Sequence, residues 1–308
     1  MLKKIDKYIP IIVFVLFVTV ISILTKGRNI NFTNIKHILN QSVALIISGM
    51  GVIFVMSQGS LDLTQGSILV LAPLIGIFSE NAIPGSFIPM VIVVGMLLGL
   101  MTGSIFSLLK VPSFVATLCL SFVLRNFAYF LWDYIPGGYV YIPFNLFVLD
   151  KSQYKIPILI LIVLTMYYFF EFTKVGKFSK AIGSDEKVAE YSGVPVKKMK
   201  ILAFVLSGML GGVCSLFGVF RAGTLALVTG HFFEWDVLVA VLLGGTPLTG
   251  GANSKLLGVI LGSITISVIN NGLVLLNVPT LYQQLVKGLI LITIISLSFE
   301  KEKVMFVK

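Results

Sequence analysis

Ten apolar stretches, each nearly free of charge, decide what this chain can fold into. They lie near residues 8–25, 40–57, 66–80, 88–109, 113–132, 156–172, 200–220, 235–245, 255–276 and 281–299. About 20 such residues at 1.5 Å rise cross the hydrocarbon core of a bilayer, where an open backbone finds no partner. The expectation is an all-α integral membrane protein, its 308 residues forming one transmembrane domain with about ten segments. Composition agrees, at 57% hydrophobic and 12% charged residues. The stretches at 66–80 and 235–245 are too short to span comfortably. Each adjoins a glycine-rich break, the pattern of half-helices or re-entrant pieces whose broken backbone is buried in protein.

The net charge of +10 does not point to nucleic acid, because the basic residues gather at the ends of apolar blocks. Lys3, Lys4 and Lys7, then Lys110, the stretch 173–200, and Lys301, Lys303 and Lys308 fall on one side of a ten-segment topology. Both termini are then cytoplasmic. Lys26, Arg28 and Lys36 stand on the wrong side, and residues 32–39 read as a short helix in the interface, with Phe32, Ile35, Ile38 and Leu39 on one face. The N-terminus resembles a secretory signal but lacks a small-residue cleavage site, so it reads as a retained first helix. Cys119 and Cys214 lie inside apolar blocks and suggest neither disulfide nor metal site.

Two breaks echo one another. Gln58-Gly-Ser-Leu-Asp-Leu-Thr-Gln-Gly66 interrupts the first half, and Gly244-Gly-Thr-Pro-Leu-Thr-Gly-Gly251 the second. Matched interruptions in two halves point to a translocation pathway between structural repeats. The polar residues in and near these breaks are the pathway candidates: Asp62, Thr64, Arg125, Thr246, Thr249, Asn270 and Asn271. Asp62 either lines the pathway, caps a helix beginning near Thr64, or is a surface carboxylate; the cap is favoured. Arg125 is expected to be paired or to snorkel outward near Tyr129 and Trp132. Glu234 and Asp236 read as an outer rim that meets a soluble partner, or as a solvated helix start. Asn270 and Asn271 suit helix-to-helix hydrogen bonding, with contact to a sugar hydroxyl as the sharper alternative. His37 and His231 are isolated, with no metal-ligand spacing nearby.

Residues 173–200 carry seven Lys against three acids between two apolar blocks. Ser184 is the expected N-cap of a two-turn helix, with Asp185 and Glu186 at its positive end. That helix stops at Gly193 and is held off by Pro195. Ala189 and Gly193 allow close approach, which suits insertion into a groove on a soluble partner. A basic connector held to anionic lipid is the equal alternative.

The order of motifs resembles the membrane permease subunits of ribose-type sugar ABC importers, the branch of ribose, arabinose, xylose and galactose permeases. The residues that carry the resemblance are Gly49-Met50 with the 58–67 break, Val111-Pro-Ser-Phe-Val-Ala-Thr-Leu118 with Leu124-Arg125, and Ala181-Ile-Gly-Ser-Asp-Glu-Lys-Val-Ala-Glu-Tyr-Ser-Gly-Val194. Ala240-Val-Leu-Leu-Gly-Gly-Thr-Pro-Leu-Thr-Gly-Gly251 and Asn270-Asn-Gly-Leu273 complete the set. It covers roughly residues 30–300. The resemblance implies a bacterial inner-membrane subunit that pairs with a second permease subunit, identical or not. A cytoplasmic ATPase would engage Gly183, Ser184, Asp185, Glu186, Ala189 and Gly193, using ATP and Mg that this chain does not itself bind. An extracytoplasmic binding protein would deliver the solute.

No phosphate-binding Gly-x-x-x-x-Gly-Lys-Ser/Thr motif is present, so ATP hydrolysis belongs to a partner. Departures from the family pattern fall at Gln58-Gly-Ser-Leu-Asp62, at Pro247 and across residues 223–230, leaving a pentose, a hexose or a nucleoside open. An ion-coupled carrier would need more intramembrane carboxylates. An intramembrane enzyme would need paired acids or a His cluster, and none is visible. A passive channel leaves the structured basic loop without a purpose.

Overall fold

The computed structural model describes residues 8–109, 111–135, 140–142 and 144–306. Lys3, Lys4, Lys7, Lys110 and Lys308 lie outside the described residues, as do the side chains of Lys301 and Lys303. Each of the ten apolar stretches coincides with a helix. In chain order these are α1 (Ile9–Leu24), α2 (Phe32–Met56), α3 (Gln65–Ala82), α4 (Phe87–Leu109), α5 (Ser113–Trp132), α6 (Ser152–Phe172), then α9 (Val196–Ala222), α10 (Phe233–Leu243), α11 (Leu256–Leu275) and α12 (Thr280–Phe306). Between α6 and α9 lie the non-spanning α7 (Lys174–Ser184) and α8 (Glu186–Tyr191). Among the described residues, six helices are long and apolar enough to cross a membrane: α2, α4, α5, α6, α9 and α11. The protein is therefore a multi-pass, essentially all-α membrane protein.

Three features depart from the sequence expectation. Residues 32–39 are not a separate interfacial helix; they are the first two turns of α2, begun by Asn31, whose side chain accepts from the Thr33 amide. One unbroken apolar face carries both pieces, so nothing ends the helix at residue 39. The stretch at 66–80 grows to 18 residues in α3. A two-residue antiparallel pair joins β1 (Val140–Tyr141) to β2 (Thr224–Leu225), with Val140 opposite Leu225.

Glycine decides how closely the helices cross. On α4, Gly95, Gly99 and Gly103 form a stripe every fourth residue that meets Phe204, Gly208 and Gly212 of α9. A Cβ on Gly95 would lie 2.4 Å from the Gly208 carbonyl oxygen, and one on Gly208 would lie 2.3 Å from that of Gly95. A second crossing sets Gly258 and Gly262 of α11 on Gly244 and Ala240 at the end of α10. Small residues matter here because lipid-embedded helices associate through close packing rather than through exclusion of water. The main apolar core lies where α2, α9, α10 and α11 converge, around Ile47, Met50, Ile53, Cys214, Val241 and Ile266. A second core joins α3 and α4 to the β pair.

Candidate translocation and coupling site

The first interruption, residues 57–64, is held in place completely. Gly59, at φ +71°, turns the chain out of α2, and residues 61–64 then run beside α5. There the Leu61 amide donates to Ser113 Oγ, and Thr117 Oγ1 donates to the Leu61 carbonyl. Asp62 is buried and accepts four bonds. Its Oδ1 receives the Thr64 amide at 2.9 Å and Thr64 Oγ1 at 2.6 Å; its Oδ2 receives Ser207 Oγ at 2.6 Å and Gln65 Nε2 at 3.0 Å. Ser48 Oγ donates to Gln65 Oε1, and Ser67 Oγ reaches the Ser121 carbonyl. Asp62 thus ties the start of α3 to the middle of α9, and Gln65 extends the link to Ser48 of α2. Asp62 is neither at the surface nor free.

The second half is arranged differently. The loop of residues 223–232 enters the bundle, and Arg125 fastens it through Nη1 to the Thr229 carbonyl (3.2 Å) and Nη2 to the Gly230 carbonyl (2.9 Å). Tyr129 bonds His231 at 3.1 Å, so this histidine is exposed but not isolated. Partial loss of solvent around the ring, and next the Arg125 charge, hold the His231 pKa below its ordinary value. Gly230, at φ +72°, lies against Gly66: a Cβ on Gly66 would sit 2.4 Å from the Gly230 carbonyl oxygen and 1.9 Å from Glu234 Oε2. The starts of α3 and α10 therefore meet inside the bundle. At 11 residues, α10 is about 16 Å long, roughly half of what a crossing needs.

Glu234 and Asp236 are consequently neither an outer rim nor a solvated helix start. Glu234 Oε2 is buried against α3, and Asp236 forms an ion pair with Lys287 of α12 at 2.7 Å. Asn270 Nδ2 donates to the other Asp236 oxygen at 3.0 Å, while Asn271 and Asn34 exchange amide hydrogen bonds at 2.8 and 2.9 Å. Both asparagines thus join helix to helix, as their apolar setting demands. Lys287 escaped the sequence reading, although a lone lysine two turns into an apolar helix is itself a signal. Five side chains here keep a buried oxygen without a protein partner: Glu234, Thr246, Ser254, Ser263 and Asn270. All lie between residues 234 and 270. Thr249 contributes its carbonyl, which packs on Gly59.

The basic segment meets both interruptions at one end of the bundle. A Cβ on Gly183 would lie 2.0 Å from the Ser57 carbonyl oxygen and 2.5 Å from the Gly251 amide, and that amide donates to Ser57 O at 2.9 Å. Gln58 Nε2 donates to Ser179 Oγ and to the Met199 carbonyl. The Ala252 amide donates to Ser184 Oγ. Ser184 is not the expected N-cap: it ends α7, and Asp185 caps α8 by accepting the Val188 amide at 3.0 Å. The one-residue error arises because α7 was not foreseen; its basic, mixed composition hides an 11-residue helix. Ala189 faces inward, buried against its own unit, so it does not thin an outer face, whereas Gly193 is exposed and makes the turn at φ +82°. Glu186 pairs with Lys200 at 2.7 Å. The outward face of α8 instead presents Val188 and Tyr191, the latter 89% exposed.

Residues 34–295 match the family described as "Branched-chain amino acid transport system / permease component". The ribose import permease of Haemophilus influenzae is 31% identical to the chain over 84% of this chain and 83% of the relative. The D-allose transport system permease of Escherichia coli is 26% identical over 95% and 91%. The xylose transport system permease of Haemophilus influenzae is 25% identical over 97% of both. No solved structure matches. Among the described residues, no three His, Cys, Asp or Glu side chains gather as a metal site. The similarity is to transport components rather than to enzymes, and the chain belongs to this family of transport-system permease components.

Proposed function

We propose that the chain forms the translocation pathway of an ATP-driven importer for a monosaccharide in a bacterial cytoplasmic membrane. The observation that carries this reading is the junction where α7, which packs with α8 in one small core, touches both helix interruptions at once. A partner that pushes on α8 acts on the two broken segments together. At that end α8 faces out through Val188 and Tyr191, while the charges of Glu186 and Lys200 are spent on each other.

The ATPase would grip Val188 and Tyr191 and use ATP and Mg, placing α7 and α8 in the cytoplasm with both termini on the same side. The positively charged ends of the apolar blocks support that orientation across ten segments. The unpartnered oxygens between residues 234 and 270 are acceptors suited to the hydroxyls of a sugar passing beside α10 and α11. A second permease subunit would complete the pathway, and a binding protein would release sugar at the Arg125 end. Rigid-body rocking between two access states would then move the solute.

Reconstitution with the ATPase and binding protein in liposomes tests the reading. ATP-dependent uptake of labelled ribose, allose or xylose is expected. Uptake of one of these without ATP would contradict it, and leucine uptake in their place would move the substrate to branched-chain amino acids.

A further inference from the structure

We infer that Gln58 is the pivot of this coupling, a positioning residue that holds α7 and α8 against the fixed end of α2 so that a push moves residues 244–254. The inference rests on the function proposed above.

The moving part is a unit with its own apolar core. Ile182, Ala189, Val194, Val196 and Met199 pack together across α7, α8 and the first turn of α9, apart from the main core. Such a unit shifts as one body, because a packed core has discrete arrangements rather than a continuous range. Two side chains, Gln58 and Ser184, fasten it to the interruptions, and their hydrogen bonds differ in kind. Gln58 is 5% exposed, and its Nε2 bridges both arms of the unit: Ser179 Oγ on α7 at 2.9 Å and the Met199 carbonyl on α9 at 3.1 Å. Breaking that bridge strands a buried amide, at a cost the exposed bonds do not carry. Ser184, by contrast, is exposed, and water replaces its 3.2 Å bond from Ala252 with little loss.

The firm bond is made to the interruption that is fully satisfied, and the weak one to the interruption that is not. The unit therefore turns about Gln58 and slides at Ser184. Gly183 is the bearing: with no side chain it touches the Ser57 carbonyl and the Gly251 amide together. Without Gln58 the whole unit can shift, and ATPase motion is lost as slippage.

The test uses the complete importer in liposomes, reading ATPase copurification, ATP hydrolysis and sugar taken up per ATP. Gln58→Met keeps length and removes the amide. It should retain the ATPase and hydrolyse ATP within about twofold, while sugar per ATP falls about tenfold, the effect of losing one to two buried hydrogen bonds. Ser179→Ala leaves the Met199 acceptor and should lower the ratio about two- to threefold. A normal ratio in Gln58→Met overturns the pivot, as does loss of the ATPase from that variant. Should Gln58→Met fail to fold, a normal ratio in Ser179→Ala overturns it. A wild-type chain that copurifies no ATPase refutes the proposed function, a result separate from either of these.

Discussion

The two interruptions are built to opposite rules. Around residues 57–67 every polar side chain but Ser60 meets a partner: Asp62 takes four donors, Gln65 bonds to three residues, and Ser57, Gln58, Thr64 and Ser67 are each bonded. Between residues 234 and 270 five buried oxygens find no protein partner. A saturated polar network is rigid, since any shift leaves costly unpaired groups. An unsaturated one loses little by moving and gains by meeting a hydroxyl-bearing solute. The first interruption is a post, and the second is the part that works against it.

The largest effect should come from breaking the post. Asp62→Ala leaves the Thr64, Gln65 and Ser207 donors facing a void, and each buried donor left without an acceptor costs about 1–3 kcal/mol. Thermal unfolding in detergent should show a fall of about 10 °C or folding should fail; an unchanged midpoint would remove the distinction between the two regions. Next comes the ion pair on the working side. Lys287→Met alone strands the Asp236 carboxylate, with a cost of about 3 kcal/mol, whereas Lys287→Met with Asp236→Leu should recover much of it, because a buried pair is worth little against apolar packing. A double variant as unstable as the single one would mean the pair fixes α12 in a way apolar contact cannot.

Smaller still, Ser263→Ala and Thr246→Val remove hydroxyls that make no bond, and stability should change by less than about 1 kcal/mol while sugar uptake falls. A clear drop in the unfolding midpoint would show these oxygens to be structural. The smallest effect belongs to His231. Its folded pKa lies below the unfolded value, so the neutral ring's contribution is intact above about pH 6.5 and is lost as pH falls through the folded value. Wild type should therefore lose a little stability between pH 7 and 5, and His231→Asn should flatten that slope.

The sequence made the scaffold readable where physics is local. Apolar runs placed all ten hydrophobic helices, and the stripe Gly95, Gly99, Gly103 was open to reading as a close crossing. Pairings that depend on chain return were not readable. Nothing local tells that Arg125 will grip carbonyls about a hundred residues later, or that Lys287 will answer Asp236. The sequence likeness between residues 58–66 and 244–251 pointed to a pathway between structural repeats; what the structure adds is a contact between the two segments, through Gly59 and Thr249. The deeper meeting, Gly66 with Gly230, joins a break to a loop that reads from sequence as an ordinary connection. Asp62, singled out as a lone charge and favoured as a helix cap, accepts four hydrogen bonds, and what no local pattern tells is that one of them comes from Ser207 of α9.

Hydrogen exchange on the assembled importer, with and without ATP, tests the contrast most directly. Amides of residues 244–254 and 223–232 should change protection when ATP binds, while those of residues 57–67 stay the same. Equal changes in both interruptions would contradict the account, since a post that moves with its partner is no post.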